Sequence, residues 1–225
     1  MKINNVEIGL DHDPVIIAEM SGNHNQSLER ALQIVDAAAE SGAQILKLQT
    51  YTADTITLNV ERDEFVISDE KSLWSGRSLY SLYQEAHTPW EWQKEIIQHA
   101  VEKGVECFSS VFDESSVEFL ESVNIAAYKL ASQEIVHLPL IREVALTGKP
   151  MVMSTGMASL AEIDEAVNTV RKVGNSEIAL LKCTSSYPAT AENSNVLTIP
   201  YLRELFGCEV GLSDHTLGIG AALAA

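Results

Sequence analysis

Three lysines lie inside apolar stretches of the sequence, where an ammonium group is costly to desolvate. They are Lys47 in ILKLQTY, Lys129 in AYKLAS and Lys182 in IALLKCTSSYP, three of only nine lysines in the chain. A buried ammonium needs an anionic or strongly polar partner. For a single lysine, an ion pair with a neighbouring carboxylate explains such a position. Three lysines on different strands point instead to one shared anionic ligand.

Hydroxyl groups follow the same apolar stretches. Lysines, hydroxyls and backbone N–H groups together are the usual donors of phosphate-binding sites. The sequence therefore predicts that a phosphorylated ligand binds where these stretches end. The hydroxyl candidates are Ser132, Ser154, Ser185 and Ser213, and Ser110 ends a further stretch.

Two other residues have the chemistry of a proton carrier or a metal ligand. Glu19 ends the stretch VIIAEM and is a candidate base or ligand, although pairing with one of the lysines is the alternative. His215 follows Asp214 at the end of EVGLSDHT, and neutral imidazole is a common ligand of divalent metals. A single histidine is more often structural, and spacing alone forces no second ligand.

A repeated alternation of apolar runs and helical patterns positions these residues. Parallel β-α repeats with strands buried on both faces predict an α/β barrel of the TIM (β/α)8 type, with an open parallel sheet as the alternative. The chain of 225 residues ends in the seventh repeat, so we interpret it as truncated. KINNVEIGL alternates polar and apolar residues, which predicts a hairpin below the barrel. The seven predicted strands span residues 15–20, 45–51, 105–112, 127–132, 150–156, 178–188 and 209–216.

Capping signals set the predicted helix boundaries. Ser159 with Glu162 forms a capping-box pattern. Thr88 followed by Pro89 is typical of a cap and a first helical residue. The connection over residues 52–86 is the longest one after a strand, and long loops in compact domains are usually functional.

Composition excludes several classes of partner. The net charge of −17 argues against nucleic acid and anionic membranes. No apolar run reaches the length of a membrane span, and the N-terminus lacks a signal-peptide pattern, so we expect a cytoplasmic protein. Cys107, Cys183 and Cys208 are odd in number and widely spaced, which predicts reduced thiols.

A series of motifs in order along the chain resembles the sialic acid synthase family, and within it most closely the pseudaminic acid synthase branch. The resemblance implies an eight-stranded barrel followed by a small antifreeze-like domain, of which residues 1–225 would be the incomplete barrel. It implies a metal-dependent condensation of phosphoenolpyruvate with an amino-sugar aldehyde, and a homodimer at full length. The motifs are EMSGNHNQS, KLQTYTADT, AHTPWEW, YKLAS, STGMAS, CTSSYPAT and SDHTLGIG.

The same resemblance assigns roles to individual residues. Glu19 matches the acid/base carboxylate, and His215 matches one of two histidines that bind Mn²⁺, Mg²⁺ or Co²⁺. Gln49 and Tyr187 match positions near the sugar, and Asp113 is expected near the sugar or the metal. The positions that match contacts to phosphoenolpyruvate are Lys47, Lys129, Ser132, Ser154, Lys182, Ser185 and Ser213.

Three other functions fit the same residues. An N-acetylneuraminate synthase would use N-acetylmannosamine as the sugar. A Schiff-base aldolase would use a strand lysine, Lys129 or Lys182, as a nucleophile. A non-catalytic binding barrel, or an inactive fragment of an enzyme, would bind phosphoenolpyruvate without turning it over.

Overall fold

The structure is a computed structural model that describes residues 1–70 and 72–225. The chain forms two compact units, one of residues 15–125 and one that joins residues 1–14 to residues 126–225. Each is built from parallel strands and helices, as the sequence predicts. Among the described residues, no helix combines the length and the apolar character that a bilayer crossing requires.

The unit of residues 15–125 has three parallel strands in the order β3-β4-β5. Their helices bury small and branched apolar side chains, such as Ala31 and Val35, against Leu46 and Leu48 of β4. Alternation along β4 leaves Lys47 and Gln49 on the face that is only partly buried. The elements are β3 (Ile17–Glu19), α1 (Leu28–Glu40), β4 (Ile45–Thr50), α2 (Ala53–Ile56), a 3-10 turn (Asp63–Phe65), α3 (Leu79–Ala86), α4 (Trp90–Glu102), β5 (Glu106–Val111) and α5 (Glu114–Ser122).

The other unit carries a two-stranded hairpin and four parallel strands in the order β6-β7-β8-β9. Its elements are β1 (Lys2–Ile3), β2 (Val6–Glu7), β6 (Tyr128–Leu130), a 3-10 turn (Gln133–Val136), α6 (Leu138–Leu146), β7 (Met151–Ser154), α7 (Leu160–Lys172), β8 (Ile178–Cys183), a 3-10 turn (Ala191–Asn193), α8 (Thr198–Phe206), β9 (Glu209–Ser213) and α9 (Gly220–Ala224). All seven strands predicted from the sequence are therefore present.

The predicted hairpin is confirmed, and it lies at the N-terminal ends of β8 and β9. The backbone N–H of Lys2 donates to Glu177, which precedes β8, at 3.2 Å. The N-terminal ammonium lies 3.7 Å from Glu209, the first residue of β9. Ser185, Ser213 and His215 lie at or beyond the opposite, C-terminal ends of these two strands.

Capping is confirmed at α7 and wrong in detail at α4. The Ser159 hydroxyl accepts from the N–H of Glu162, whose carboxylate accepts from the N–H of Ser159. At α4 the N-cap is Pro89 and the helix begins at Trp90. Thr88 is buried and directs its hydroxyl toward His24, because a buried imidazole competes with the helix end for that hydroxyl.

The connection over residues 52–86 contains regular structure at both of its ends. Helix α2 opens with a capping box at Thr52 and Thr55, and helix α3 closes the segment. The Tyr80 hydroxyl donates to Asp54 at 2.9 Å, so the two helices are joined. The predicted long loop thus begins and ends in short helices, and a 3-10 turn (Asp63–Phe65) lies between them.

The three cysteines are free thiols, as predicted. Cys107 and Cys183 are buried, and Cys208 is half-buried. Burial raises the pKa of the Cys107 thiol well above its usual value, so this sulfur stays protonated and packs as an apolar group.

Candidate active site

Two serine hydroxyls converge on the backbone of Gly156, just after β7. The N–H of Gly156 donates to the Ser132 hydroxyl at 3.1 Å. A Cβ placed on Gly156 would lie 2.7 Å from that oxygen and only 2.3 Å from the Ser185 hydroxyl oxygen. Glycine is therefore required here for close approach. Because Ser132 accepts from the backbone, its own proton is available to donate to a ligand.

Lys129 brings a buried positive charge to the same unit. Its side chain is 4% exposed, and its ammonium donates to the Ser154 hydroxyl at 2.7 Å and to the carbonyl of Leu130 at 2.5 Å. Ser154 accepts from the ammonium, so its proton is likewise free to donate onward. A buried cation with polarised hydroxyl donors suits an anionic ligand.

Glu134 is a residue that the sequence analysis missed. It lies in the 3-10 turn after Ser132, and burial raises its pKa although the positive charge of Lys129 opposes that effect. Its Oε2 atom is buried and makes no hydrogen bond within the described residues. A carboxyl with a raised pKa beside a lysine is typical of functional sites. The sequence gives little indication of this role, because QEIVH has the pattern of an ordinary polar turn.

The imidazole of His215 has a fixed orientation. Its Nδ1 lies 2.9 Å from the carbonyl oxygen of Thr184, and a carbonyl only accepts, so Nδ1 carries the proton. The Nε2 lone pair is then available to a metal. The exposed Tyr187 ring stacks on the imidazole with centroids 4.2 Å apart, and Cys183 Sγ lies 3.9 Å from Nδ1.

Ser213 and Lys182 take different faces of the strands. Ser213 pairs in register with Cys183, so it shares the face on which Cys183 packs against His215 and Ser185. Lys182 neighbours Cys183 in sequence and therefore points to the other face. Its ammonium donates to Thr184 at 2.7 Å, and burial lowers its pKa. The contacts of Lys182 are thus separate from the hydroxyl group around Gly156.

The other unit brings together Glu19, Lys47 and Gln49. Lys47 Nζ lies 2.5 Å from Glu19 Oε1, because β3 and β4 pair these two residues in register. Gln49 Nε2 lies 3.5 Å from the same carboxylate oxygen, and Ser21 donates to Gln49 Oε1 at 3.3 Å. The carboxylate remains 40% exposed, so it is accessible to a substrate.

Ser110 and Asp113 lie at the end of β5. Ser110 pairs in register with Gln49 and shares its face, although it is 1% exposed. Asp113 is the N-cap of α5, and its carboxylate accepts from the N–H groups of Ser115 and Ser116. Its observed contacts are those of a helix cap, and its predicted contact with sugar or metal stays a prediction.

Comparison with known proteins identifies the family of this chain. A model of the NeuB family matches residues 34–225. The chain belongs to the NeuB family. It is 46% identical over 205 residues to the pseudaminic acid synthase of Helicobacter pylori, covering 91% of this chain and 60% of that protein. It is 42% identical to the Campylobacter jejuni pseudaminic acid synthase, covering 100% of this chain and 64% of that protein.

Solved structures of this family share the fold. The spore coat polysaccharide biosynthesis protein of Bacillus subtilis matches with a TM-score of 0.81 at 37% identity, over 96% of this chain and 57% of that one. The N-acetylneuraminic acid synthetase of Leptospira borgpetersenii matches with a TM-score of 0.85 at 27% identity, over 100% of this chain and 73% of that one. The predicted TIM-barrel-type fold class and the resemblance to the sialic acid synthases are confirmed. This chain spans about 60% of the length of the curated pseudaminic acid synthases it matches.

Proposed function

We propose that this NeuB-family protein is a pseudaminic acid synthase. It condenses phosphoenolpyruvate with 2,4-diacetamido-2,4,6-trideoxy-altropyranose and releases phosphate by C–O cleavage. The observation that carries the proposal is the buried Lys129 ammonium, whose partner Ser154 lies in the same unit as the two hydroxyls at Gly156. The identity to pseudaminic acid synthases of two genera supports the choice of sugar.

Phosphoenolpyruvate carries a phosphate and a carboxylate, and both groups are anionic. Lys129 with Ser132, Ser154 and Ser185 suits one anionic group, because each hydroxyl that accepts from a donor has a proton left to give. The resemblance to the family also assigns Lys47 to phosphoenolpyruvate, and its ammonium is held by Glu19. Holding both reactants in a fixed orientation lowers the barrier by several kcal/mol, roughly 7–11 in the best intramolecular cases.

Glu19 is the proposed acid/base residue. In the reaction, C3 of phosphoenolpyruvate bonds to the aldehyde carbon of the open-chain sugar, water adds at C2, and the C–O bond to phosphate then breaks. The added water must lose a proton, and the aldehyde oxygen must gain one. Glu19 is suited to this exchange because its carboxylate is partly exposed and hydrogen-bonded to Lys47 and Gln49, which fix its orientation.

The residues present fit a divalent metal through one imidazole. His215 Nε2 is available as a ligand because Nδ1–H is held by Thr184. Within the described part of the chain, no group of three or more His, Cys, Asp or Glu side chains is placed to hold a metal. When bound, such a metal would supply Lewis-acid polarisation of the sugar aldehyde. Tyr187, whose ring lies against His215, is the proposed sugar contact beside it.

The proposal is tested by two measurements on the same protein. Calorimetry measures phosphoenolpyruvate binding, and a colorimetric assay measures inorganic phosphate released with Mn²⁺ and each sugar in turn. We expect phosphoenolpyruvate to bind, and we expect phosphate to be released when the diacetamido sugar is present. Release with N-acetylmannosamine alone would move the protein to N-acetylneuraminate synthesis.

Two other outcomes distinguish the remaining functions. Binding without release for any sugar would support a binding barrel or an inactive fragment. Trapping of substrate on Lys129 or Lys182 by borohydride would support a Schiff-base aldolase, and the absence of an adduct beside normal turnover would exclude it. Sedimentation of the same sample tests the expected homodimer.

A further inference from the structure

His24 is fully buried although it contacts none of the proposed reacting groups. It lies in the loop of residues 20–27 that follows Glu19 and β3. Its ring packs edge-on against Trp92 of α4 with centroids 5.8 Å apart. A buried polar ring is expected to satisfy both of its nitrogens.

The hydrogen bonds of His24 define one tautomer. The backbone N–H of Gln26 donates to Nδ1 at 3.2 Å, so Nδ1 has no proton. The proton must then be on Nε2, which donates to the Thr88 hydroxyl at 3.0 Å. The bond from Gln26 requires a neutral ring, whereas Nε2 can donate to Thr88 in either protonation state. Protonation would place an N–H on Nδ1, facing the N–H of Gln26.

The same loop is tied to the end of α3. The Gln26 side-chain amide donates to the carbonyls of Glu85 and His87, both at 2.7 Å. Gly22 packs so closely that a Cβ there would lie 2.7 Å from the carbonyl oxygen of Ala86. Gln26 also has a positive φ of 55°, a conformation that non-glycine residues adopt only when their surroundings hold them.

The loop in turn contacts the two residues that hydrogen-bond to the Glu19 carboxylate. Ser21 donates to Gln49 at 3.3 Å, and Gln49 lies 3.5 Å from the Glu19 carboxylate. The N–H of Met20 donates to the carbonyl of Lys47 at 3.1 Å. A shift of this loop would therefore move the groups that orient Glu19.

We propose that His24 is a positioning residue that, in its neutral form, holds the loop of residues 20–27 and through Ser21 and Gln49 orients Glu19. The effect on turnover rests on the proposed function. The effect on the loop does not, because it follows from the hydrogen bonds alone.

The surroundings of His24 favour the neutral ring. Burial lowers its pKa below the usual 6.5, and the charge of His87 lowers it further. Other charged groups on the segments that adjoin the loop are Glu85, ion-paired with Arg77 at 2.8 Å, and the exposed Glu29 and Arg30 at the start of α1. Trp92 and Thr88 are neutral. Since the folded pKa is the lower one, the stability that His24 contributes is complete above pH 6.5 and is lost as the pH falls toward the folded pKa.

Two substitutions separate positioning from packing. His24→Asn places an amide oxygen where Nδ1 was, so it still accepts from Gln26 but cannot titrate. His24→Phe keeps the ring and loses both hydrogen bonds. His12→Asn, at an exposed histidine beside the hairpin, is the matched control.

Hydrogen exchange of the amides in residues 20–27 and NMR titration of His24 are measured between pH 5 and 8. In wild type, we expect the amide exchange rate of the loop, corrected for intrinsic rates, to rise at least tenfold as His24 protonates. In His24→Phe, we expect the rate to be at least tenfold above that of neutral wild type at every pH. His24→Asn should lose the pH dependence. In turnover, His24→Phe should lower kcat at least tenfold with the KM for phosphoenolpyruvate changed less than threefold.

The proposal is overturned if the exchange rate of the loop in wild type does not change when His24 protonates. It is also overturned if His24→Asn keeps the wild-type rise in exchange at low pH. If His24→Phe does not fold, the pH-dependent exchange rates of wild type and His24→Asn still test the proposal. Absence of turnover in wild type would contradict the proposed function. The hydrogen-exchange data would still test whether His24 holds the loop.

Discussion

Replacing Gly156 by alanine tests the anion site most directly. The φ of Gly156 lies outside the left-handed region, so alanine can adopt this backbone. The obstacle is steric, because the new methyl would lie 2.3 Å from the Ser185 hydroxyl oxygen and 2.7 Å from that of Ser132. Ordinary van der Waals contacts for a Cβ begin at 3.4 Å. Both hydroxyls must therefore move by about an ångström or the strand end must shift.

The displacement is expected to lower both the folding free energy and the affinity for the anion. Overpacking of a close-packed site costs about 1–3 kcal/mol of folding free energy. A hydrogen bond to a charged ligand contributes about 1.5–3 kcal/mol, so misplacing one hydroxyl alone weakens binding by that amount. At 1.4 kcal/mol per factor of ten, the Kd for phosphoenolpyruvate should rise about tenfold to a hundredfold.

Calorimetric titration with phosphoenolpyruvate measures this Kd, and thermal unfolding confirms that the variant folds. Gly220→Ala is the matched control, since a Cβ at Gly220 meets nothing within 4 Å and its φ is unexceptional. In a Ser185→Ala background, Gly156→Ala should cost less than it does alone, because one collision is gone. A folded Gly156→Ala protein with a Kd within twofold of wild type would refute the assignment of this site to the anion.

Three further predictions concern other parts of the chain. Glu19→Gln should keep phosphoenolpyruvate binding in calorimetry and abolish phosphate release, and turnover within tenfold of wild type would contradict an acid/base role. Ser159→Ala removes the cap of α7 and should lower unfolding free energy by about 1 kcal/mol in denaturant titrations, whereas an unchanged midpoint would mean that the cap is unimportant. Glu134→Gln should raise thermal stability at pH 7–8 and not at pH 4, because the raised pKa of Glu134 makes its contribution complete below pH 4.5 and lost as the pH rises through the folded pKa. Equal effects at both pH values would argue against that.

The fold could be predicted because local signals agree with one another. Each strand is an apolar run of about the right length, and Ser159 with Glu162 marks a helix start by hydrogen bonds between close neighbours. The start of α4 could not be predicted from such neighbours, because Thr88 bonds a histidine 64 residues away. Tertiary contacts of this kind can determine where a helix begins, and the sequence next to the helix does not show them.

The candidate site was predicted from residue type, and geometry decides which of the predicted residues lie together. Lys129 and Ser154 meet across neighbouring strands, as the pattern of lysines and hydroxyls indicated. Lys182 was grouped with them by its charge, yet the period of two along β8 turns it away from Cys183 and Ser185. Glu134 was missed because its importance lies in burial, which a polar turn sequence does not reveal.

The anchoring of the segment over residues 52–86 has a consequence for how this family can diversify. Its first helix is joined to its last by Tyr80 and Asp54, and its final turn is fastened to Gly22 and Gln26. With both ends fixed, a doubling of the length between them costs only about 0.6 kcal/mol in loop-closure entropy. Insertions and deletions between α2 and α3 are therefore expected to leave Glu19 undisturbed, so members of the family can differ in length here at little cost in stability.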